Sequence, residues 1–395
     1  MGARRTPESG STTGNFVAEW FGHRVWPDVD RSESARANQA RRACPFLTIA
    51  TGEFRECVKW ARGWIEPYGV CTISSDSNDV RQDWIACPNR TLDQHFTLLA
   101  TAVRYSYLVT EDTEVLLLPL TVLHRQEQRS RISRTLNAGG RVFLFSSQKL
   151  GGEIDLPETE ASPGAAVDIS AMEVTGIGPN GKPTEFGKHL LYEIQTSDFH
   201  GSPLHAAEHL KTLCPKGNPR TDYHRRLAAR VEVCGTGVEG PNKANIFKRT
   251  IYQMIFKIEL ARHPDCAGFA IVLPVPVWDS WLRHLGQPQL PSVDGSHDHH
   301  LLLAPNEHPS DSPAGGRATI YVFDIDRESR EAPRPLRIVR KISCSSGALV
   351  HHAFTVASDQ AKERDVVATF RTTFIERVGK GWKGSLRVET NEERQ

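Results

Sequence analysis

The run Leu190-Leu191-Tyr192-Glu193-Ile194-Gln195-Thr196 constrains the fold more than any other segment. It is apolar enough to be a buried strand, yet it carries polar residues two apart. Side chains on a strand alternate between faces, so Glu193 and Gln195 share one face and Ile194 points into the other layer. A second strand-like run, Ala166-Val167-Asp168-Ile169, brings an acid upstream of it.

The remaining periodicity extends this picture. Residues 91–105 read as a helix with Thr91 as its N-cap. Residues 115–120 form an apolar run of strand length, 124–136 a charged, Arg-rich helix, and 141–145 a short buried strand. A Pro/Gly loop over 176–183 separates the Asp168 and Glu193 strands, and a helix is expected near 203–213. Residues 242–262 are the longest expected helix, with Phe247, Ile251, Met254, Ile255 and Ile258 as an apolar stripe at helical spacing. Lys248, Arg249 and Lys257 lie off that stripe, where they could face phosphate. A strand over 267–273, a short helix over 277–285, a long polar loop over 287–316 and a last strand over 318–325 complete the pattern. Strands mixed with helices indicate an α/β core with a mixed sheet flanked by helices.

Composition narrows the class. At 395 residues, 39% hydrophobic and 24% charged, the chain is globular and long enough for one large domain plus a smaller module. It has no apolar run of membrane-spanning length. Its first residues lack the apolar core of a secretory signal, so 1–14 read as a disordered leader. The formal net charge of +1 decides nothing about nucleic acid, because a near-neutral total can hide a local basic surface. The run Ser296-His297-Asp298-His299-His300 reads as a solvated loop, and the charged tail from residue 380 as poorly patterned.

Cysteine placement is uneven. Cys44, Cys57, Cys71 and Cys87 fall in the first quarter, spaced C-x12-C-x13-C-x15-C, and the other four of the 8 are scattered. Without an export signal a disulfide framework is not expected. Four thiolates brought together make a closed tetrahedral metal site, zinc on chemistry alone. Turn-forming neighbours, as in Cys44-Pro45 and Cys87-Pro88-Asn89, support that reading. The lack of a C-x2-C pair leaves small buried cysteines as the competing one. Residues 15–90 are therefore expected as a small, irregular module held by metal more than by core.

The spacing Asp-x24-Glu-x-Gln invites a chemical reading. Two carboxylates on adjacent strands can hold Mg²⁺, which activates water and offsets charge building on phosphoryl oxygens. Asp168 and Glu193 would be the ligands, with the Ile194 carbonyl beside them. Gln195 cannot carry charge, so it is left to orient water or hydrogen-bond a phosphate. Glu153, after Lys149-Leu150-Gly151-Gly152, is a third acidic candidate. The competing reading is a polar face on an edge strand.

Several blocks then resemble one family. They are Phe21-Gly22-His23-Arg24-Val25, Cys44-Pro45-Phe46-Leu47-Thr48, Asp83-Trp84-Ile85-Ala86-Cys87-Pro88-Asn89-Arg90, Lys149-Leu150-Gly151-Gly152-Glu153, Glu193-Ile194-Gln195-Thr196, Asp198-Phe199-His200-Gly201-Ser202 and Asn245-Ile246-Phe247-Lys248-Arg249-Thr250. Trp278 and Ser280-Trp281-Leu282-Arg283-His284-Leu285 extend them. In this order, over roughly residues 14–326, they resemble the NotI-like, rare-cutting type II restriction endonucleases; beyond about residue 335 there is no match.

The resemblance implies a restriction-endonuclease-like PD-(D/E)XK fold over 91–395 and a four-cysteine, DNA-binding metal module over 15–90. It implies a homodimer that cuts both strands of a GC-rich palindromic duplex with Mg²⁺, in a restriction-modification system of a bacterial cytoplasm. Asp168, Glu193 and Gln195 fall on the family's active-site positions, with Glu153 as an acidic neighbour. Cys44, Cys57, Cys71 and Cys87 fall on a site that holds structural iron, so iron rests on the resemblance and zinc stays the alternative. A two-fold protein presents the same contacts to each half of a palindrome. The usual form of this motif ends in Lys, and Gln195 in its place supports a different expectation, a catalytically silent DNA-binding protein that uses the cysteine module. An iron electron-transfer protein is a third, weaker reading.

Overall fold

The computed structural model describes residues 14–382 except 60–65, 78–79, 198, 201, 218–221, 294, 309–317 and 364–365, and except the side chains of 77, 243–246, 367 and 381–382. Nearly all of the expected leader, and most of the expected tail, lie outside the described residues.

The strands are β1 (Phe16–Trp20), β2 (His23–Arg24), β3 (Val70–Ser77), β4 (Val80–Ile85), β5 (Val115–Pro119), β6 (Arg141–Ser147), β7 (Ile154–Leu156), β8 (Ala165–Val167), β9 (Ile169–Ile177), β10 (Pro183–Ile194), β11 (Cys266–Pro274), β12 (His299–Leu302), β13 (Ala318–Ile325) and β14 (Leu336–Cys344). Eight of them form one mixed sheet in the order β12-β14-β13-β11-β10-β9-β6-β5. The centre, β10-β11-β13, is parallel, and β9 runs antiparallel to β10. The chain is thus mixed α/β, as expected.

Alternation along the central strands divides the core in two. Phe269, Ile271 and Leu273 of β11, Ile320 and Val322 of β13, and Leu191 of β10 point to one side. There they meet Phe247, Ile251, Met254 and Ile258 of a long helix and Trp278 and Trp281 of the helix after β11. Ala270, Val272, Tyr321, Phe323, Leu190 and Tyr192 point to the other side, against Leu98, Leu99, Ala102 and Val103 and against Trp20, Phe21 and Phe46 from the N-terminal region.

The helices are α1 (Glu33–Arg41), α2 (Pro45–Thr51), α3 (Thr97–Ser106), α4 (Gln126–Asn137), α5 (Leu204–Leu213), α6 (Tyr223–Ala228), α7 (Lys243–Leu260), α8 (Val275–His284), α9 (Ser346–Val350), α10 (Ala357–Glu363) and α11 (Val366–Trp382). Proline at the first turn of α2 and of α8 sets where each begins. No helix among the described residues is long and apolar enough to cross a membrane.

Several expectations need correction. Thr91 does not cap α3: it closes a short 3-10 turn over Pro88–Thr91, and α3 begins six residues later, where the Asp93 carboxylate accepts from Thr97 N–H at 2.7 Å. Residues 15–90 are not irregular, because β2-β1-β3-β4 form an antiparallel sheet. That sheet's Trp20, Ile73 and Ile85 are fully buried in the same core cluster as α3 and the large sheet. The polar loop contains β12, on which His299 hydrogen-bonds Ser343 at 3.0 Å instead of facing water. Nor is β13 the last strand, since β14 pairs with it antiparallel.

Candidate active site

Asp168 lies between β8 and β9, not inside a strand. Ile169 pairs with Tyr192, so the next N–H of β10 toward this break, that of Ile194, meets a side chain: Asp168 Oδ2 accepts it at 2.7 Å. The carboxylate has replaced a ladder carbonyl. Glu193 shares the face of Leu191 and therefore points toward α7. Gln195 follows the end of β10, and its N–H still donates to Val272 C=O at 2.9 Å, continuing the pairing with β11. Glu193 and Gln195 are both buried, each 7% exposed.

The two acids act on each other. Burial, then the charge of Asp168, pushes the Glu193 carboxyl up to about 7, against the pull of Lys257. Burial also raises Asp168, opposed by the Ile194 N–H and by Lys257. Burial thus outweighs the one cation beside this pair of carboxylates.

Lys257 is the residue that sequence reasoning left unplaced. Its Nζ donates to Glu193 Oε2 at 2.6 Å, and the side chains are 3% and 10% exposed. Periodicity had grouped it with Lys248 and Arg249, but the structure separates them: those two are exposed and Lys257 is buried. All three lie off the apolar stripe, so periodicity offers no signal that singles out Lys257.

Glu153 is exposed after a Gly-Gly turn, on a cleft of about 210 Å³ that Asp168 and Ile194 also line. Lys59, two residues after Cys57, and Asn89, two residues after Cys87, line the same cleft. His200 is exposed, and its neighbours at 198 and 201 lie outside the described residues.

Cys44, Cys57, Cys71 and Cys87 are all buried and unpaired by disulfides. Cys44 and Cys87 each precede a proline that starts a helical turn, and the N–H groups of that turn point at the sulfur: Phe46 and Leu47 at Cys44, Asn89 and Arg90 at Cys87. Lys59 and Gly69 N–H groups point at Cys57. Gly22 N–H donates to Cys71 Sγ at 3.3 Å from a left-handed conformation, and a Cβ there would strike the Pro45 ring. Burial, then neighbouring cysteines, pushes Cys57 up to about 12 and also raises Cys44 and Cys71 well above an ordinary thiol. Four thiolates in one buried region would need a cation among them. Among the described residues, however, no group of three or more His, Cys, Asp or Glu side chains is placed to hold a metal ion.

The two regions are joined by backbone. Ser197 N–H, two residues beyond Gln195, donates to Ile85 C=O at 3.0 Å, two residues before Cys87.

No protein-family model matches the chain, and no curated protein matches it.

Proposed function

We propose that the chain is a type II site-specific endodeoxyribonuclease that cuts GC-rich palindromic duplex DNA as a homodimer, within a bacterial restriction-modification system. One observation carries the reading. Asp168 and Glu193 come together at the ends of neighbouring strands, Asp168 accepting the N–H of the residue after Glu193 at 2.7 Å, and burial raises both carboxyls above their usual range despite Lys257. A pair of acids so placed suits a divalent cation.

Asp168 and Glu193 would hold Mg²⁺, with the Ile194 carbonyl beside them. An ion held there would supply Lewis acidity toward the phosphodiester and toward the attacking water. In the hydrolysis the water oxygen bonds to phosphorus and one P–O ester bond breaks. The water gives up a proton and the departing oxygen takes one. Glu153, open to the cleft, is suited to receive the first through solvent, and Gln195 to orient the water.

The four cysteines are proposed as a structural iron site, with zinc the alternative. The donor set fits in chemistry, since each sulfur has at least one backbone N–H to share a thiolate's charge. With all four ligands from the protein, such a site keeps no position for substrate.

Dimerisation has a candidate surface in α11. Val366, Phe370, Phe374 and Val378 recur every four residues and are each more than half exposed. An exposed helix with a continuous apolar stripe gains stability by pairing.

The deciding experiment digests GC-rich plasmid with Mg²⁺ and sequences the ends. Discrete fragments with defined, symmetric ends support the nuclease. Intact plasmid at high protein, with duplex binding retained, would leave a silent DNA-binding protein.

A further inference from the structure

We infer that Lys257, reaching in from helix α7, is the catalytic cation of this site and does the work that Gln195 on β10 cannot do. The inference rests on the nuclease reading above and names a further residue for it.

Three observations converge on this lysine. First, its position is specific. Glu193 continues the inward face of Leu191, and Lys257 sits between Met254 and Ile258, two core residues of α7. The amine and the carboxylate, 64 positions apart in sequence, therefore meet by the packing of α7 on the sheet. Second, the amine sits where the two acids meet: it holds Glu193 at 2.6 Å, and the N–H of the very next residue, Ile194, holds Asp168 at 2.7 Å. Third, stability alone does not call for it. A buried ion pair seldom outperforms an apolar residue of similar volume, because desolvating both charges costs about as much as their attraction returns. A methionine here would extend the apolar stripe of α7 at no such cost.

A phosphodiester drawn to Asp168 and Glu193 must lie beside the carboxylate that Lys257 already touches. The ammonium can then donate to a non-bridging phosphoryl oxygen as charge accumulates during attack. A donor aimed at developing charge in a buried site is worth far more than one in water. Gln195, neutral and fixed by its backbone bond to Val272, is free to position water.

Single-turnover cleavage tests this on full-length protein, with a duplex the parent cuts. Lys257→Gln should slow cleavage by roughly 10²–10³-fold, as loss of one transition-state donor does. Duplex affinity in Ca²⁺ should stay within about threefold of the parent, so that the loss falls on the chemical step. Mn²⁺ affinity, read by calorimetry without DNA, should hold or rise, since a competitor for Glu193 has gone. Adding Gln195→Lys to Lys257→Gln should recover at least about tenfold of the lost rate by returning an amine from the strand. If Lys257→Gln does not fold, Lys257→Met takes its place in every arm.

Cleavage by Lys257→Gln within about threefold of the parent overturns the inference and leaves the nuclease reading intact. So does a slow variant whose Mn²⁺ affinity falls in step, or one that Gln195→Lys does not help, because each marks a merely structural lysine. A parent that cuts no duplex removes the nuclease reading itself, and this inference with it.

Discussion

Arg334 donates from Nε to Glu19 Oε1 at 2.9 Å, closing a buried contact across 315 residues of sequence. Arg90 binds the other oxygen of Glu19 at 2.8 Å, and Arg334 also reaches Asp83 at 3.0 Å. The N-terminal sheet is thereby fastened to the stretch just before β14. Removing one partner of a buried pair strands the other. Arg334→Met should therefore cost roughly 3–5 kcal/mol in urea unfolding. A loss below about 1 kcal/mol would show the network to be dispensable.

Acid should unfold the protein in two stages. Burial, then Arg36, holds His224 at about 4, below its ordinary 6.5. Its neutral ring accepts from Arg36 at Nδ1 and contacts Gln39 through Nε2. The unfolded chain takes up that proton first, so stability falls as pH drops from 6.5 toward 4. For Glu19, burial favours the neutral acid, but Arg90 and Arg334 outweigh it and hold the carboxyl at about 2. Its contribution is complete above 4.5 and is lost as pH falls toward 2. Unfolding curves across pH should lose the upper stage in His224→Gln and the lower one in Glu19→Gln. Unchanged pH profiles would contradict both assignments.

Asp168→Ala and Glu193→Ala should each reduce cleavage at least about 10³-fold while duplex binding in Ca²⁺ persists. Gel-shift and single-turnover assays on the same preparations separate the two effects. A variant that keeps most of its activity would remove that residue from the metal-binding pair.

Cys57→Ser should lower metal content and destabilise the region around β3 and β4. Elemental analysis should give about one iron, or one zinc, per chain in the parent. Because Ser197 hangs on Ile85, loss of this region should also slow cleavage. Full metal content and normal cleavage in Cys57→Ser would argue against a four-thiolate site.

Phe370→Glu with Phe374→Glu should convert a dimer to a monomer in light scattering without lowering the unfolding midpoint of the monomeric unit. An unchanged dimer would move the interface elsewhere.

Much of the sheet was legible in sequence because its strands are apolar runs. The 115–120 and 267–273 runs became β5 and β11 within a residue or two. β14 escaped because Arg337, Arg340 and Lys341 interrupt it, although it lies inside the sheet between β12 and β13. The start of α3 escaped because its cap comes from Asp93, which a search for the nearest hydroxyl passes over. Asp168 and Glu193 were legible as a spacing. Lys257 was not, because periodicity says which residues leave an apolar stripe and nothing about what another element brings to meet them.

The shared face of Leu191 and Glu193 has a consequence for folding. A slip of β10 by one residue would restore its ladder hydrogen bonds but exchange its faces. Glu193 would then enter the layer of Tyr321 and Trp20, and the amine on α7 would face an isoleucine or a tyrosine. Mispairing would thus bury Glu193 and Lys257 apart, each without the partner it has in the native pairing. The ion pair acts as a proofreader of strand alignment: a sheet assembled out of step is penalised at the same spot where an aligned one gathers its acids.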